Sequence, residues 1–166
     1  TGAGIARVLA REGARVFVHG LEPGQADEVT GQLRAEGAEV TAVCGDVRVD
    51  AGADAVAEAV AAEGGVDILV NNFGRAEGRG WFDGDSGDWL GMWETNVLSA
   101  ARMVQRLVPG MKEAGWGRVL FVSTVGSVRP RARSTGPAAG SPPPLPPPSW
   151  PALPCAILSF ASQRVT

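Results

Sequence analysis

The feature that most constrains this chain is an alternation. Short, nearly unbroken apolar runs are separated by stretches whose apolar residues recur at helical spacing. The sharpest run is Val66 to Gly74, VDILVNNFG, in which Val66, Ile68, Leu69 and Val70 read as a strand buried on both faces of a parallel sheet. It ends in two amides, an aromatic and a glycine. Ligands of open α/β sheets sit beyond the carboxyl ends of the strands, so a polar, glycine-ended exit is a candidate site. Asn and Gly are also common turn residues, and the stretch taken alone reads equally well as a strand and its turn.

The rest of the chain repeats the alternation. In TGAGIARVLAREGARVFVHG, Ile5, Val8 and Leu9 form a helical stripe that Gly13 stops, and Val16 to Val18 read as a strand ending at His19-Gly20. Pro23 suits the first turn of a second helix carrying Ala26, Val29 and Leu33, and Gly37 closes it. Glu39 to Cys44 is the next strand, left through Gly45-Asp46-Val47. Asp50 then N-caps an Ala-rich helix containing Val56 and Val60. After the Val66 strand and a polar loop, a long helix runs from about Asp88 to Met111, interrupted at Thr95-Asn96 and ended near Gly115. Arg118 to Ser123 is a further buried strand. Strands and helices alternating at this spacing predict a doubly wound parallel sheet.

Composition narrows the chemistry. The length of 166 residues fits one domain, and a net charge of -3 gives no basic field for nucleic acid. Two distant cysteines, Cys44 and Cys155, form no disulfide framework, and a single histidine, His19, excludes His-based metal clusters. No apolar run approaches the roughly 18 residues of a membrane span, so the expectation is a cytoplasmic protein with no membrane partner. Tyrosine is absent.

Four polar signals fall at strand ends or in the helix between them: Asp46-Val47, Asn71 to Gly74, Asn96 and Ser123. Each has a plain structural reading, as a turn acid, a turn, a helix-kink amide and a strand-end hydroxyl. Taken together and in order, they resemble the short-chain dehydrogenase/reductase family over Thr1 to about Val128. NNFG is similar to that family's Asn-Asn-Ala-Gly, GDV to its adenine-pocket Asp-Val, TNV to its helix Asn, and VSTVG to its Ser-containing strand end. The resemblance implies NAD or NADP as cofactor and a small-molecule carbonyl or alcohol as substrate, with a homo-oligomer as a possible assembly. Asp46 would bond the adenine amino group and Val47 pack on the ring. Asn72, Phe73 and Gly74 would pass the ribose and nicotinamide, with Asn71 bracing the strand end. Ser123 would hold the substrate oxygen, Asn96 would anchor the water of a proton relay, and Gly2 would be the last glycine of the phosphate loop.

Three departures from the family pattern are visible. The strand and glycines expected ahead of the first helix are not in the sequence, and Gly2 to Arg7 makes no new G-x-G-x-x-G. The positions of the family's catalytic Tyr and Lys hold Gly136 and Gly140, and the only lysine is Lys112. From Gly136 to Pro154 the chain is dominated by proline, which removes donors and fixes φ. The expected fold is therefore α/β, a partial Rossmann-like doubly wound parallel sheet lacking its first strand, followed by a Pro-rich irregular tail. Residues 1-128 form the NAD(P)-binding unit and 129-166 a disordered tail. In the family's strand order the lost strand is central. The chain must then bring its neighbours together, fill the gap with a segment such as Ala156 to Phe160, or fold marginally, and marginal folding is the expectation.

Functionally, the sequence leads to the expectation of an inactive fragment descended from an NAD(P)-dependent carbonyl or alcohol oxidoreductase. Two alternatives stand beside it: a pseudoenzyme that keeps the adenine pocket, and an interaction module presenting Pro142 to Pro148, PPPLPPP, as a polyproline ligand.

Overall fold

A computed structural model of the chain describes residues 1–75, 83–123 and 155–159. Gly136, Gly140 and the Pro142 to Pro148 run lie outside these residues, as does the 129–154 part of the expected tail. The described elements are α1 (Gly2–Arg11), β1 (Arg15–Gly20), α2 (Asp27–Ala35), β2 (Val40–Cys44), α3 (Asp50–Ala62), β3 (Ile68–Asn71), α4 (Ser86–Trp93), a π-helical turn (Glu94–Leu98), α5 (Ser99–Glu113), β4 (Arg118–Phe121) and β5 (Cys155–Ser159).

The five strands form one sheet in the order β2-β1-β5-β3-β4, with every pairing parallel. Side chains alternate across β1 and β3, and the two faces bury separate cores. On one face Val16, Val18 and Val70 meet Ala6 of α1 and Leu33 of α2. On the other, Phe17 and Leu69 meet Val56 and Val60 of α3 and Met103, Leu107 and Met111 of α5. Continuous apolar runs are what such two-sided burial requires, which is why β1 reads as VFV and not as an alternating strand.

Three local expectations change. Asp50 is the first residue of α3 and not its cap; Val49 holds the N-cap position and no side chain caps the helix. The second helix starts at Asp27, four residues after Pro23, because Gly24 takes φ +83 and a left-handed residue cannot continue a helix. The long helix is in three parts, with its interruption at Thr95-Asn96 resolved into one π-helical turn.

The central position is filled. Cys155–Ser159 lies between β1 and β3, registered as Arg15↔Cys155 through His19↔Ser159 on one side and Ile68↔Ala156 through Val70↔Leu158 on the other. Of the three outcomes weighed for the gap, the structure takes the second. Within the expected irregular tail, these five residues are a strand.

Candidate functional site

All strands point the same way, so the exits of β1, β2, β3 and β4 share one edge of the sheet. Gly2, buried, opens α1. In a right-handed strand–helix–strand unit, the start of a helix lies at that same edge.

At the exit of β3, Asn71 is buried and its Nδ2 has no partner among the described residues. A buried amide without a bond costs on the order of 1–3 kcal/mol, so it marks a place built for something further. Asn72 and Gly74 are half-buried, while the Phe73 side chain turns into the core beside Met103 and Leu107. Phe73 can therefore offer a ligand its backbone only.

Asn96 is carried by the π-helical turn and reaches this exit directly. Its Oδ1 accepts from the Arg75 N–H at 2.9 Å, and its Nδ2 donates to the Arg75 carbonyl at 3.1 Å and the Met92 carbonyl at 3.0 Å. A π turn is rare and needs a return for the bond geometry it gives up; here it lets one amide grip the strand exit at two points. A Cβ at Gly74 would stand 2.7 Å from Asn96 Oδ1, so only glycine allows the approach. Asn96 is thus a clamp on the exit backbone, and its amide protons are both engaged.

Next to it, Val122 N–H donates to the Asn71 carbonyl at 2.9 Å, which ties the exit of β4 to that of β3. Ser123 follows and is exposed. The structure therefore brings Asn71 to Gly74, Asn96 and Ser123 into one neighbourhood.

Asp46 and Val47 are elsewhere on the edge, past β2. Three strand spacings separate β2 from β3, about 14 Å. Asp46 is half-exposed and held by Arg48: Oδ1 accepts from the Arg48 N–H at 3.0 Å and Nε at 2.9 Å, and Oδ2 from Nη2 at 2.8 Å. The Arg48 guanidinium holds the carboxyl below its ordinary pKa. Oδ1 is saturated, which leaves Oδ2 for a further donor. Val47 is 2% exposed and belongs to the core with Phe17 and Val56, so almost no side-chain surface is left for a ring to cover.

His19, fully buried at the end of β1, places Nε2 2.7 Å from the Gly45 carbonyl. Burial pushes its pKa down, opposed by that bond and by the charge of Asp46, and the neutral ring donates Nε2–H to the carbonyl. At Gly20 a Cβ would meet Gln25 Cβ at 3.0 Å, while Leu21 N–H donates to Gln25 Oε1 at 2.6 Å. A longer side chain at Gly20 would have to displace Gln25. A cleft of about 450 Å³ opens beside the Asn96 turn, lined by Arg75, Asp85, Asp88, Gly91, Met92 and Thr95 among others.

Sequence reasoning missed Arg48, His19 and Arg75. Arg48 is signalled by its place two residues after Asp46, where an Asp side chain commonly captures the backbone. His19 is signalled by being a lone imidazole at the end of an apolar strand. Nothing in the sequence marks Arg75, since its part in the clamp is played by backbone atoms.

Comparison with known proteins agrees with this geometry. The short chain dehydrogenase family model matches residues 1–139. An uncharacterized oxidoreductase of Bacillus subtilis, YvaG, is 33% identical over 130 residues, 78% of this chain and 48% of that protein. The dehydrogenase/reductase SDR family member 4 of Sus scrofa is 36% identical over 136 residues, 78% of this chain and 47% of that protein. Among solved structures, a variant of actinorhodin polyketide ketoreductase with NADPH superposes at a TM-score of 0.78 with 30% identity, covering 83% of this chain and 54% of that one. The L-sorbose reductase of Gluconobacter frateurii, complexed with NADPH and L-sorbose, gives 0.76 at 30% identity over 84% of this chain and 55% of that one. The chain spans about half the length of the curated relatives it matches. With parallel sheet, strand-exit amides and family match all falling on the same residues, this chain belongs to the short-chain dehydrogenase family.

Proposed function

We propose that this chain binds a nicotinamide dinucleotide, NAD or NADP, along the carboxyl edge of its sheet and carries out no hydride transfer of its own. The observation that supports it is the separation of two polar stations on one edge. Asp46, with a free lone-pair position on Oδ2, stands three strands from Asn71 to Gly74, where a buried amide is orphaned beside a half-buried glycine. About 14 Å is too far for one small group to engage both, but an extended two-ended ligand laid across the strand exits reaches each.

In this reading Asp46 accepts the adenine amino group, the backbone of Asn72, Phe73 and Gly74 lines the ribose and nicotinamide, and Gly2 lies under the phosphates. Bound there, the nicotinamide supplies hydride chemistry toward a carbonyl or alcohol carbon. The chain's share is positioning. Asn96 fixes the Gly74–Arg75 backbone, and Ser123 offers a hydroxyl to a substrate oxygen. Relay duty for Asn96 would rest on the second lone pair of Oδ1, because both Nδ2 protons are spent on carbonyls. Val47 fits least well, since its side chain is already in the core.

Turnover needs a group that gives a proton to the alkoxide as hydride arrives. No tyrosine exists in the chain, and the positions the family uses for Tyr and Lys hold Gly136 and Gly140. The test is a fluorescence titration with NADH and NADPH, followed by an assay of ketone reduction. Saturable binding, weakened at least tenfold by Asp46→Ala, with no turnover above background is the expected result. Turnover would overturn the inactivity, and the absence of binding to either nucleotide would overturn the reading as a whole.

A further inference from the structure

The strand at the centre of the sheet is the last of the described strands. Elsewhere in the sheet, β1 pairs with β2 and β3 with β4, and among the described residues these two halves are joined by strand pairing only through β5. A strand in that position uses its backbone groups on both sides, alternating residue by residue between its two neighbours. Its register runs with both: Val16↔Ala156 and Val18↔Leu158 toward β1, Ile68↔Ala156 and Val70↔Leu158 toward β3. What holds β5 in place is therefore a slot with two rows of backbone donors and acceptors.

The connection to that strand is unusual in length. Residues 122–154, 33 in number, separate β4 from β5. Returning from the end of β4 to the start of β5 needs one strand length and two strand spacings, roughly 20 Å. An extended chain of that many residues reaches on the order of 100 Å. The connection also contains ten of the twelve prolines, among them six of the seven residues from Pro142 to Pro148. Proline has no N–H and is excluded from central strands, so that run cannot compete for the slot. Residues 155–166 are free of proline.

We propose that the gap between β1 and β3 is a strand-acceptor site, filled by Cys155–Ser159 of the same chain and able to take the same segment from a second copy. Filling within the chain is favoured by an effective concentration in the millimolar range, so exchange between copies shows at comparable protein concentrations or when a chain's own strand is disabled. It is slow, because a central strand must leave before another enters. This inference does not depend on nucleotide binding.

The test uses the full chain. Hydrogen exchange on the wild type is expected to show the amides of 156–158 as protected as those of Val16 to Val18 and Leu69 to Val70. Free-chain exchange at 156–158 would overturn the proposal. In the Ile157→Pro chain one ladder N–H is lost, and the thermal midpoint is expected to fall by several degrees. A fluorescent peptide with the sequence of residues 153–166, standing for a second copy's segment, is expected to bind that variant saturably and restore its midpoint, added during refolding if the variant does not fold alone. Binding to the wild type should be at least tenfold weaker at equal incubation, and the peptide carrying the same proline should not bind. Equal binding to wild type and variant, or a variant with the wild-type midpoint, would overturn it.

Discussion

At the residue scale, two side chains carry separable predictions. Asn96 accepts once and donates once across the β3 exit, and donates a second time to the Met92 carbonyl four residues back on α4. Asn96→Asp keeps the acceptor but sets a carboxylate oxygen against two carbonyls. Two lost bonds at about 1 kcal/mol each, with acceptors left facing one another, predict a loss of at least ~2 kcal/mol in urea unfolding. Unchanged stability in that variant would mean that the two donated bonds do not form. His19 behaves differently, as a buried base whose folded pKa lies below the ordinary 6.5. The unfolded chain takes up the proton first as pH falls, so stability is level above about 6.5 and declines beneath it until the folded ring titrates. The slope approaches ~1.4 kcal/mol per pH unit for one proton. Urea midpoints between pH 8 and 5.5 should show the decline, and His19→Gln should remove most of it.

At the scale of elements, two helical glycines should respond in opposite senses. Gly31 sits inside α2 with open space where a Cβ would go, so Gly31→Ala should stabilise by about 0.5–1 kcal/mol through helix propensity alone. Gly52, in the first turn of α3, would drive a Cβ into the backbone of Asp46, and Gly45 stands equally close to Gly52. Gly52→Ala should therefore destabilise by roughly 2 kcal/mol or more and weaken whatever Asp46 binds, read as a lower thermal midpoint and a shifted Asp46 carboxyl resonance. This close seating of α3 on the β2 exit was not legible in the sequence, because a glycine at a helix start announces neither its neighbour nor its clearance. The elements themselves were legible. Val16 to Val18 and Leu69 to Val70 are apolar on both faces and could be nothing but two-sided strands once helices were seen between them. The π turn was readable only as an interruption at Thr95-Asn96, since one extra residue in a helix leaves no period to detect. The seat of Cys155–Ser159 was readable only as one of several options, because a five-residue apolar segment says nothing about which distant edge it will join. Of the site, the positions were legible and the orientations were not. Val47 and Phe73 lie where expected along the chain, yet their side chains serve the core.

For the whole molecule, the question is what the sheet leaves uncovered. Leu90 and Trp93, one helical turn apart on α4, are 69% and 49% exposed, and Leu98 on the π turn is exposed as well. Leu120 on β4, which pairs within the described sheet only with β3, and Val122 just past its end are also exposed. Scattered apolar residues are ordinary on a protein surface, but an i, i+3 pair of this size and an open strand edge are sites where another molecule settles. Self-association through α4 should appear as a concentration-dependent rise in sedimentation coefficient. Replacing both Leu90 and Trp93 by Lys should reduce it at least several-fold, because the change removes apolar area and sets like charges against each other across any symmetric contact. Val8, exposed on α1, provides the control: Val8→Lys should leave association as it is. Contact through α4 requires nothing of β5, so it should survive Ile157→Pro and equilibrate quickly, whereas dimers formed by strand exchange should depend on residue 157 and persist on dilution. A sedimentation series on the two variants separates the two kinds of assembly, and association unaffected by the paired Lys substitutions would rule out the α4 face.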